Sequence, residues 1–562
     1  MKSGSALAAV MRDTTPDALH ERKTHDAIIV GGGAAGGFAA MLLAESGLRV
    51  LVLDAGLPRS PLHAPLRRLT GSLVRRFASP EGMRFIPAPL IPRARNAVRR
   101  LGRRRQPIQS QCYAWERAPE AFVDDVECPY LTSPERPFTW IRVRGLGGRV
   151  AVPGHGRQYY RLGPDDLDPS DELSARWPLQ RGELDPWYAL VEKKLALSGA
   201  EDGLPWLPDS LISNHLHPTE VEADLRDRIS ARWPGARAIL GRYAGPSDTL
   251  EAAARTGRLD CRQGAIVREI HVNDAGSVAG VSWIDHPSGA EQRSSAPLVF
   301  LCASALESTR LLMLSRSASG SRGLGANSGV LGRYLMDHVS VTAEGIGRSK
   351  PGELPTENGR CLYLPRFDAR TSGEAPQGRG FGVQVFRFPL GGGESYFVAG
   401  SFAEMLPRHE NRVTLDSERR DAWGIPVLAI DCAYGEAELT GARAQTKALR
   451  ELADLAEVKL ASIDETPRPP GSAFHECGTA RMGTDPTSSV LDANNQCWDA
   501  RGLYVTDGAC FPSQGFQNPT LTILALTARA CQHAIVHHGS GVLPEARKKP
   551  ALPSEIANRQ SA

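Results

Sequence analysis

Two residues near the end of the chain have the types and the setting to handle a proton. His475 opens His475-Glu476-Cys477-Gly478-Thr479, and Asn518 precedes Pro519, Thr520 and the apolar run Leu521 to Ala530. A neutral imidazole takes up a proton near neutral pH, and an amide can hold the hydroxyl that gives it up. Asn518 has the chemistry of an N-cap and Pro519 suits the first helical position, so the spacing predicts a helix starting here. Its first turn presents free N–H groups and partial positive charge to whatever lies in front. Taken alone, His475 is as readily a satisfied structural histidine.

The other end of the chain supplies something for that helix to face. Asp26-Ala-Ile-Ile-Val30 runs into Gly31, Gly33 and Gly36, which fit G-x-G-x-x-G. Ala34, Ala35 and the residues to Ser46 carry a helical pattern, and Leu48 to Leu53 is a second apolar strand ending at Asp54. Strand, glycine turn, helix, strand and acid within one short unit is a dinucleotide fingerprint. Gly31 permits the tight turn, Gly33 lets the backbone approach a pyrophosphate, and Gly36 lets helix and strand pack closely. Asp54 is placed to bond ribose hydroxyls, which disfavours a 2′-phosphate and points to FAD or NAD rather than NADP.

Composition sets the frame. The chain has 562 residues, 41% hydrophobic and 23% charged, enough for two or more domains with large cores. No apolar run reaches the roughly 18 residues a membrane span needs. Residues 1–24 read as a disordered arm and 541–562 as a flexible tail. The ten cysteines show no C-x-x-C and no metal-like pairing with histidine, which points to a reduced, cytoplasmic setting and no metal site. Residues 67–105 hold twelve arginines against the single acid Glu81, so this segment carries +11 of a net +3. A solvated arm or a contact in a homo-oligomer explains it most simply. No aromatic interleaving suggests a nucleic-acid groove.

The remaining elements must position the two ends. The expected fold class is α/β: a Rossmann-like dinucleotide-binding domain with a second, substrate domain built on a mostly antiparallel sheet. Residues 25–335 form the first part of the nucleotide domain, interrupted by an Arg- and Pro-rich excursion over 60–140. Glycines at 145, 147 and 148 would let backbone lie against a flat ligand. Residues 265–270 and 278–284 read as strands, 298–302 as a buried strand and 303–315 as a helix. Residues 336–465 form the substrate domain, with strands that include 382–386 and 426–431 and a helix over 436–461. The chain returns to the nucleotide domain over 466–540.

These motifs together resemble the glucose–methanol–choline (GMC) oxidoreductases. The resemblance rests on the fingerprint at 31–36, Gly145-Leu-Gly-Gly-Arg149, Cys302-Ala-Ser-Ala-Leu-Glu-Ser-Thr-Arg310, Gly332-Arg-Tyr-Leu-Met-Asp-His338, and His475 with Asn518-Pro519-Thr520. Finer segments, among them Pro137-Phe-Thr-Trp-Ile-Arg142 and Asn411-Arg-Val-Thr-Leu-Asp416, are similar to bacterial glucoside 3-dehydrogenases, C-glycoside 3-oxidases and pyranose-oxidase-like enzymes. The resemblance implies FAD, with a p-hydroxybenzoate-hydroxylase-like two-domain architecture. It implies that Gly31, Gly33, Gly36 and Asp54 hold the ADP half, that Val267 and Ala303 lie at the adenine end, and that Gly147 and Gly148 approach the pyrophosphate and flavin. It places Asp507 and Gly508 at the phosphate–ribityl region, His475 as catalytic base and Asn518 beside it. Gln384 is a candidate substrate contact, and His338 is expected to be structural. The loop after Gly148 lacks the family's usual tryptophan, and His155 aligns poorly with the histidine that carries a covalent flavin in some relatives. Non-covalent FAD is therefore expected.

The implied reaction is CH–OH to C=O on a sugar or glycoside, with electrons passing on to oxygen or to a quinone or other acceptor. A rival reading is a family member acting on a non-sugar or aminoglycoside hydroxyl in a biosynthetic pathway. A rival of another class is a non-catalytic binding protein on a flavoprotein fold.

Overall fold

Short apolar runs bounded by glycine build the sheet that carries the fingerprint. The computed structural model describes Leu7 and residues 25–57, 97, 99–100, 104–154, 156–169, 174–245, 247–320, 323–349, 353, 359–367 and 379–538. The expected N-terminal arm, most of the arginine-rich segment, His155 and the C-terminal tail lie outside them. β1 (Ala27–Val30) feeds the glycine turn, α1 (Ala34–Glu45) follows it, and β2 (Val50–Asp54) returns alongside. With β3 (Leu259–Gln263), β4 (Leu298–Leu301) and Leu503–Val505 they form a five-stranded parallel sheet. Its order is Leu503–Val505, β4, β1, β2, β3, and β1 pairs in parallel with both β2 and β4. Every residue of β1, β2 and β4 is buried, as expected of parallel strands covered on both faces. Phe38 and Leu43 of α1 are fully buried, and truncating Phe38 to alanine would cost roughly 3–5 kcal/mol.

Two glycines here admit no other residue. Gly31 has φ +97°, and a Cβ on it would lie 2.5 Å from the Cys302 carbonyl oxygen. A Cβ on Gly36 would lie 1.8 Å from the Gly31 oxygen. The turn and the helix–strand approach therefore depend on them. α2 (Ala305–Leu314) leaves the end of β4 through Cys302 to Ser304.

The second sheet is antiparallel throughout. It contains β5 (Val339–Arg348), β6 (Leu362–Phe367), β7 (Phe381–Pro389) and β8 (Glu394–Ala403), with α3 (Glu436–Leu455) packed on one face and β9 (Val458–Ile463) at the edge. The order is β9, β5, β8, β7, β6 and then the short strand Ile239–Leu240. Two expectations are corrected. The helix over 436–461 ends at Leu455: Glu457 turns at φ +56° and residues 458–463 become the edge strand beside β5. The helical apolar spacing of Ala442, Leu449 and Leu452 has stopped by then. Pro426–Asp431 does not join the antiparallel sheet. It pairs with Arg412–Arg420 and with Leu131–Thr132, and it is tied to α2 because Arg310 Nε donates to the Pro426 carbonyl at 2.8 Å. α4 (Thr520–His538) packs on α1 and brings the end of the chain back to the parallel sheet.

Candidate active site

A single cleft runs from the fingerprint turn to the start of α4. Among the residues expected to form the site, Gly31, Gly33, Ala34, Ala35, Asp54, Gly148, Val267, Ala303, His475, Asp507, Gly508, Asn518, Pro519 and Thr520 line it. Gly36 lies behind the wall, closed against Gly31. Gly147 turns the loop at φ +84° and its N–H donates to the Gly32 oxygen at 2.7 Å, so Gly145, Gly148 and Arg149 supply the lining there. Gln384 reaches the site through Asn518.

The cleft orders its own ends. Asp54 Oδ2 accepts from Gly32 N at 2.9 Å and Oδ1 from Gly56 N at 2.8 Å. Burial raises the pKa of this carboxyl, against the pull of those two N–H groups and of the Arg144 charge. Next comes the start of α1, whose N-cap Gly33 offers no side-chain cap, so its first-turn amides face the cleft. Gly148 then comes close to the Gly33 backbone: a Cβ on Gly33 would lie 3.9 Å from the Gly148 Cα. Arg149 follows, and its Nη1 donates to Glu476 Oε2 at 2.8 Å. Glu476 adjoins His475.

His475 is held from several sides. Asp337, fully buried, accepts from the backbone N–H of Ala473 and of His475, both at 3.0 Å. Gln514 Nε2 donates to the His475 carbonyl at 2.7 Å. The ring meets His338 through Nδ1 to Nδ1 at 2.7 Å and Asn518 through Nε2 to Nδ2 at 3.2 Å. His338 Nε2 lies 3.0 Å from the Gly515 carbonyl oxygen. Gln384 Nε2 donates to Asn518 Oδ1 at 2.7 Å. Asn518 was expected to cap α4. Its side chain instead spends both hydrogen bonds on Gln384 and His475, and the helix begins at Thr520.

Donor logic assigns the ring protons. A carbonyl only accepts, so His338 carries its proton on Nε2 and offers a lone pair at Nδ1. His475 must then donate from Nδ1, which leaves the Nε2 lone pair at the cleft. The Gln384 amide fixes the Asn518 amide with its NH2 toward that nitrogen. Burial, partly offset by the Gly515 carbonyl, lowers the His338 pKa to about 4 and keeps it neutral. Burial and the charge of Glu476 raise Asp337 to about 7. Burial raises Asp507 to about 6, opposed first by the Ser308 hydroxyl. His338, expected to be structural, thus touches the candidate base directly. Asp337, Glu476 and Arg149 were not singled out at all. Met336-Asp337-His338 was the available signal, because an acid and an imidazole side by side carry more chemistry than packing needs.

The residues present suit an FAD. A carboxylate stands where a ribose would lie, uncapped helix amides and two close glycines stand where a pyrophosphate would lie, and a proton-accepting imidazole stands at the far end. A fold and cleft of this kind define a flavoprotein oxidoreductase. A family model described as GMC oxidoreductase matches residues 407–527, the C-terminal part of the chain, and the chain is an FAD-dependent oxidoreductase acting on alcohol groups. It is 29% identical over 413 residues to 2-methyl-1,2-propanediol dehydrogenase of Mycolicibacterium austroafricanum, covering 63% of this chain and 73% of that one. It is 24% identical over 558 residues to paromamine 6′-oxidase of Streptomyces fradiae, covering 92% of each. It is 27% identical over 334 residues to the C-glycoside 3-oxidase of Arthrobacter globiformis, covering 56% and 59%. The fold matches formate oxidase of Aspergillus oryzae with a TM-score of 0.59 at 16% identity, over 92% of this chain and 99% of that one.

Proposed function

We propose that the protein oxidises a secondary hydroxyl of a sugar or glycoside to a ketone, with His475 as the base. The observation that carries this reading is the donor network that leaves a lone pair on His475 Nε2 beside the Asn518 amide at the cleft. When bound, FAD supplies the acceptor for the hydride of the CH–OH group. A substrate hydroxyl would enter between the Asn518 amide and His475, replacing their 3.2 Å contact: His475 Nε2 takes the hydroxyl proton, and Asn518 Nδ2 donates to the hydroxyl oxygen and fixes its direction. Neutral His338 keeps the His475 proton on Nδ1. Gly31, Gly33 and the first turn of α1 take the pyrophosphate, Asp54 the adenosine ribose, and Asp507 and Gly508 the ribityl region. The start of α4 at Thr520 brings its first-turn N–H groups and positive dipole toward charge that develops in the reaction.

Relatives named for a C-glycoside, an aminoglycoside and a small diol support oxidation of a hydroxyl and favour a polar, sugar-like substrate. We place FAD as non-covalent and the terminal acceptor as oxygen or a quinone. We take residues 336–465 as the substrate domain between the two parts of the nucleotide domain, and we assign a reducing, cytoplasmic setting on the ten cysteines, all buried. None of the helices among the described residues is long and apolar enough to cross a membrane. The test is anaerobic bleaching of the flavin band by a panel of glycosides, aminoglycosides and simple diols. Bleaching by glycosides supports the reading. Bleaching by diols alone would replace it with a non-sugar alcohol dehydrogenase, the reading favoured by the first of those relatives. Readmitting air then separates oxidase from dehydrogenase.

A further inference from the structure

Glu476 combines two features that the reaction at His475 does not use. Its side chain is 1% exposed, and Oε2 is fixed by Arg149 Nη1 at 2.8 Å. Oε1 is buried, borders the cleft and has no hydrogen-bond partner among the described residues. A buried carboxylate oxygen left without a donor forfeits its hydration with nothing in return, so such atoms call for an explanation. A Cβ on Gly508 would lie 2.5 Å from the Glu476 carbonyl oxygen, so the two segments of chain are in close contact. Arg149 stands directly after the left-handed pair Gly147 and Gly148, at φ +84° and +57°. The ion pair therefore ties the glycine loop to the segment that bears the base.

The position along the cleft selects the missing donor. Asp54 and the α1 amides occupy one end, and the contact of Gly33 with Gly148 comes next. Glu476 lies beyond it, between Arg149 and His475, and is packed against Gly508. That is the flavin and ribityl half of the cofactor, which carries hydroxyl donors. We propose that Glu476 is a cofactor ligand: its Oε1 accepts a hydrogen bond from a ribityl hydroxyl of FAD, and the Arg149–Glu476 pair latches the glycine loop over that contact. The proposal rests on the reading of the cleft as a non-covalent FAD site.

The test uses the purified holoenzyme and follows FAD release on dilution by the rise in flavin fluorescence, with the thermal shift on added FAD as a second readout. Glu476→Leu fills the same space without an acceptor. It is expected to release FAD at least about tenfold faster and to lose most of the thermal shift. Glu476→Gln keeps an acceptor at Oε1 and is expected to stay within about threefold of wild type. Arg149→Met is expected to fall between them. Release from Glu476→Leu at the wild-type rate would overturn the proposal, as would Glu476→Gln releasing as fast as Glu476→Leu. Wild-type protein that neither holds FAD nor is stabilised by it would instead overturn the FAD reading.

Discussion

His338 Nδ1 lies 2.7 Å from His475 Nδ1, and the Gly515 carbonyl at 3.0 Å from His338 Nε2 decides which ring donates. The consequence is a base whose Nε2 lone pair faces the Asn518 amide at the cleft in one tautomer only. His338→Leu removes the acceptor and lets His475 place its proton on either nitrogen. Flavin reduction is expected to slow by roughly 10–100-fold, with FAD still bound. His338→Asn restores an acceptor toward Nδ1 and is expected to recover part of the rate. Because burial holds His338 near 4, the acid limb of kcat/KM above about pH 5 should report one imidazole. A limb two protons steep would count against the assigned tautomers.

The amide end of the network carries its own prediction. Gln384 is 5% exposed and donates to Asn518 Oδ1. Gln384→Glu offers a carboxylate instead, which attracts the Asn518 NH2 and turns the amide oxygen toward His475. That places two acceptors face to face. A fall of about tenfold in kcat/KM, or about 1.4 kcal/mol, is expected from steady-state kinetics. Unchanged kinetics would mean that the Asn518 orientation does not matter.

Stability should depend on pH through Asp337. Its folded pKa is raised from 3.8 to about 7 by burial and the Glu476 charge. Between those values the folded state keeps a proton that the unfolded state has lost, so this contribution is complete below about pH 4 and lost as pH rises toward 7. Asp337→Asn removes the dependence. Measured by Tm relative to wild type, the variant is expected to gain steadily from pH 4 to 7. A difference that stays flat over that range would contradict a protonated Asp337. His338 acts with the opposite sign, since its folded pKa is depressed and its contribution is lost as pH falls from 6.5 toward 4.

Denaturation tests the mode of cofactor attachment. Acid precipitation of the yellow protein is expected to leave the flavin in the supernatant, read at 450 nm. Flavin that stays with the pellet would indicate a covalent bond.

The parts of this molecule governed by local rules were legible in its sequence. Gly31 and Gly36 can be read there because no Cβ fits, and β1, α1 and β2 because strand and helix periods alternate around them. His475 and Asn518 could be named, but not their partners. The His338–His475 contact spans 137 residues and the Gln384–Asn518 bond 134, distances over which spacing carries no information. Local rules also misled. Asn518 before Pro519 reads as a cap, yet a half-buried amide beside a base and Gln384 gains more from those partners than from the helix. The helix past Leu455 failed for a similar reason, since Val458 to Ile463 find an open edge on β5.

Anaerobic stopped-flow reduction of the flavin by a methyl glycoside, comparing wild type with His475→Ala, tests the role of the base most directly. The expected result is FAD retained at wild-type stoichiometry and reduction slowed at least about 100-fold. Reduction of His475→Ala at the wild-type rate would contradict it.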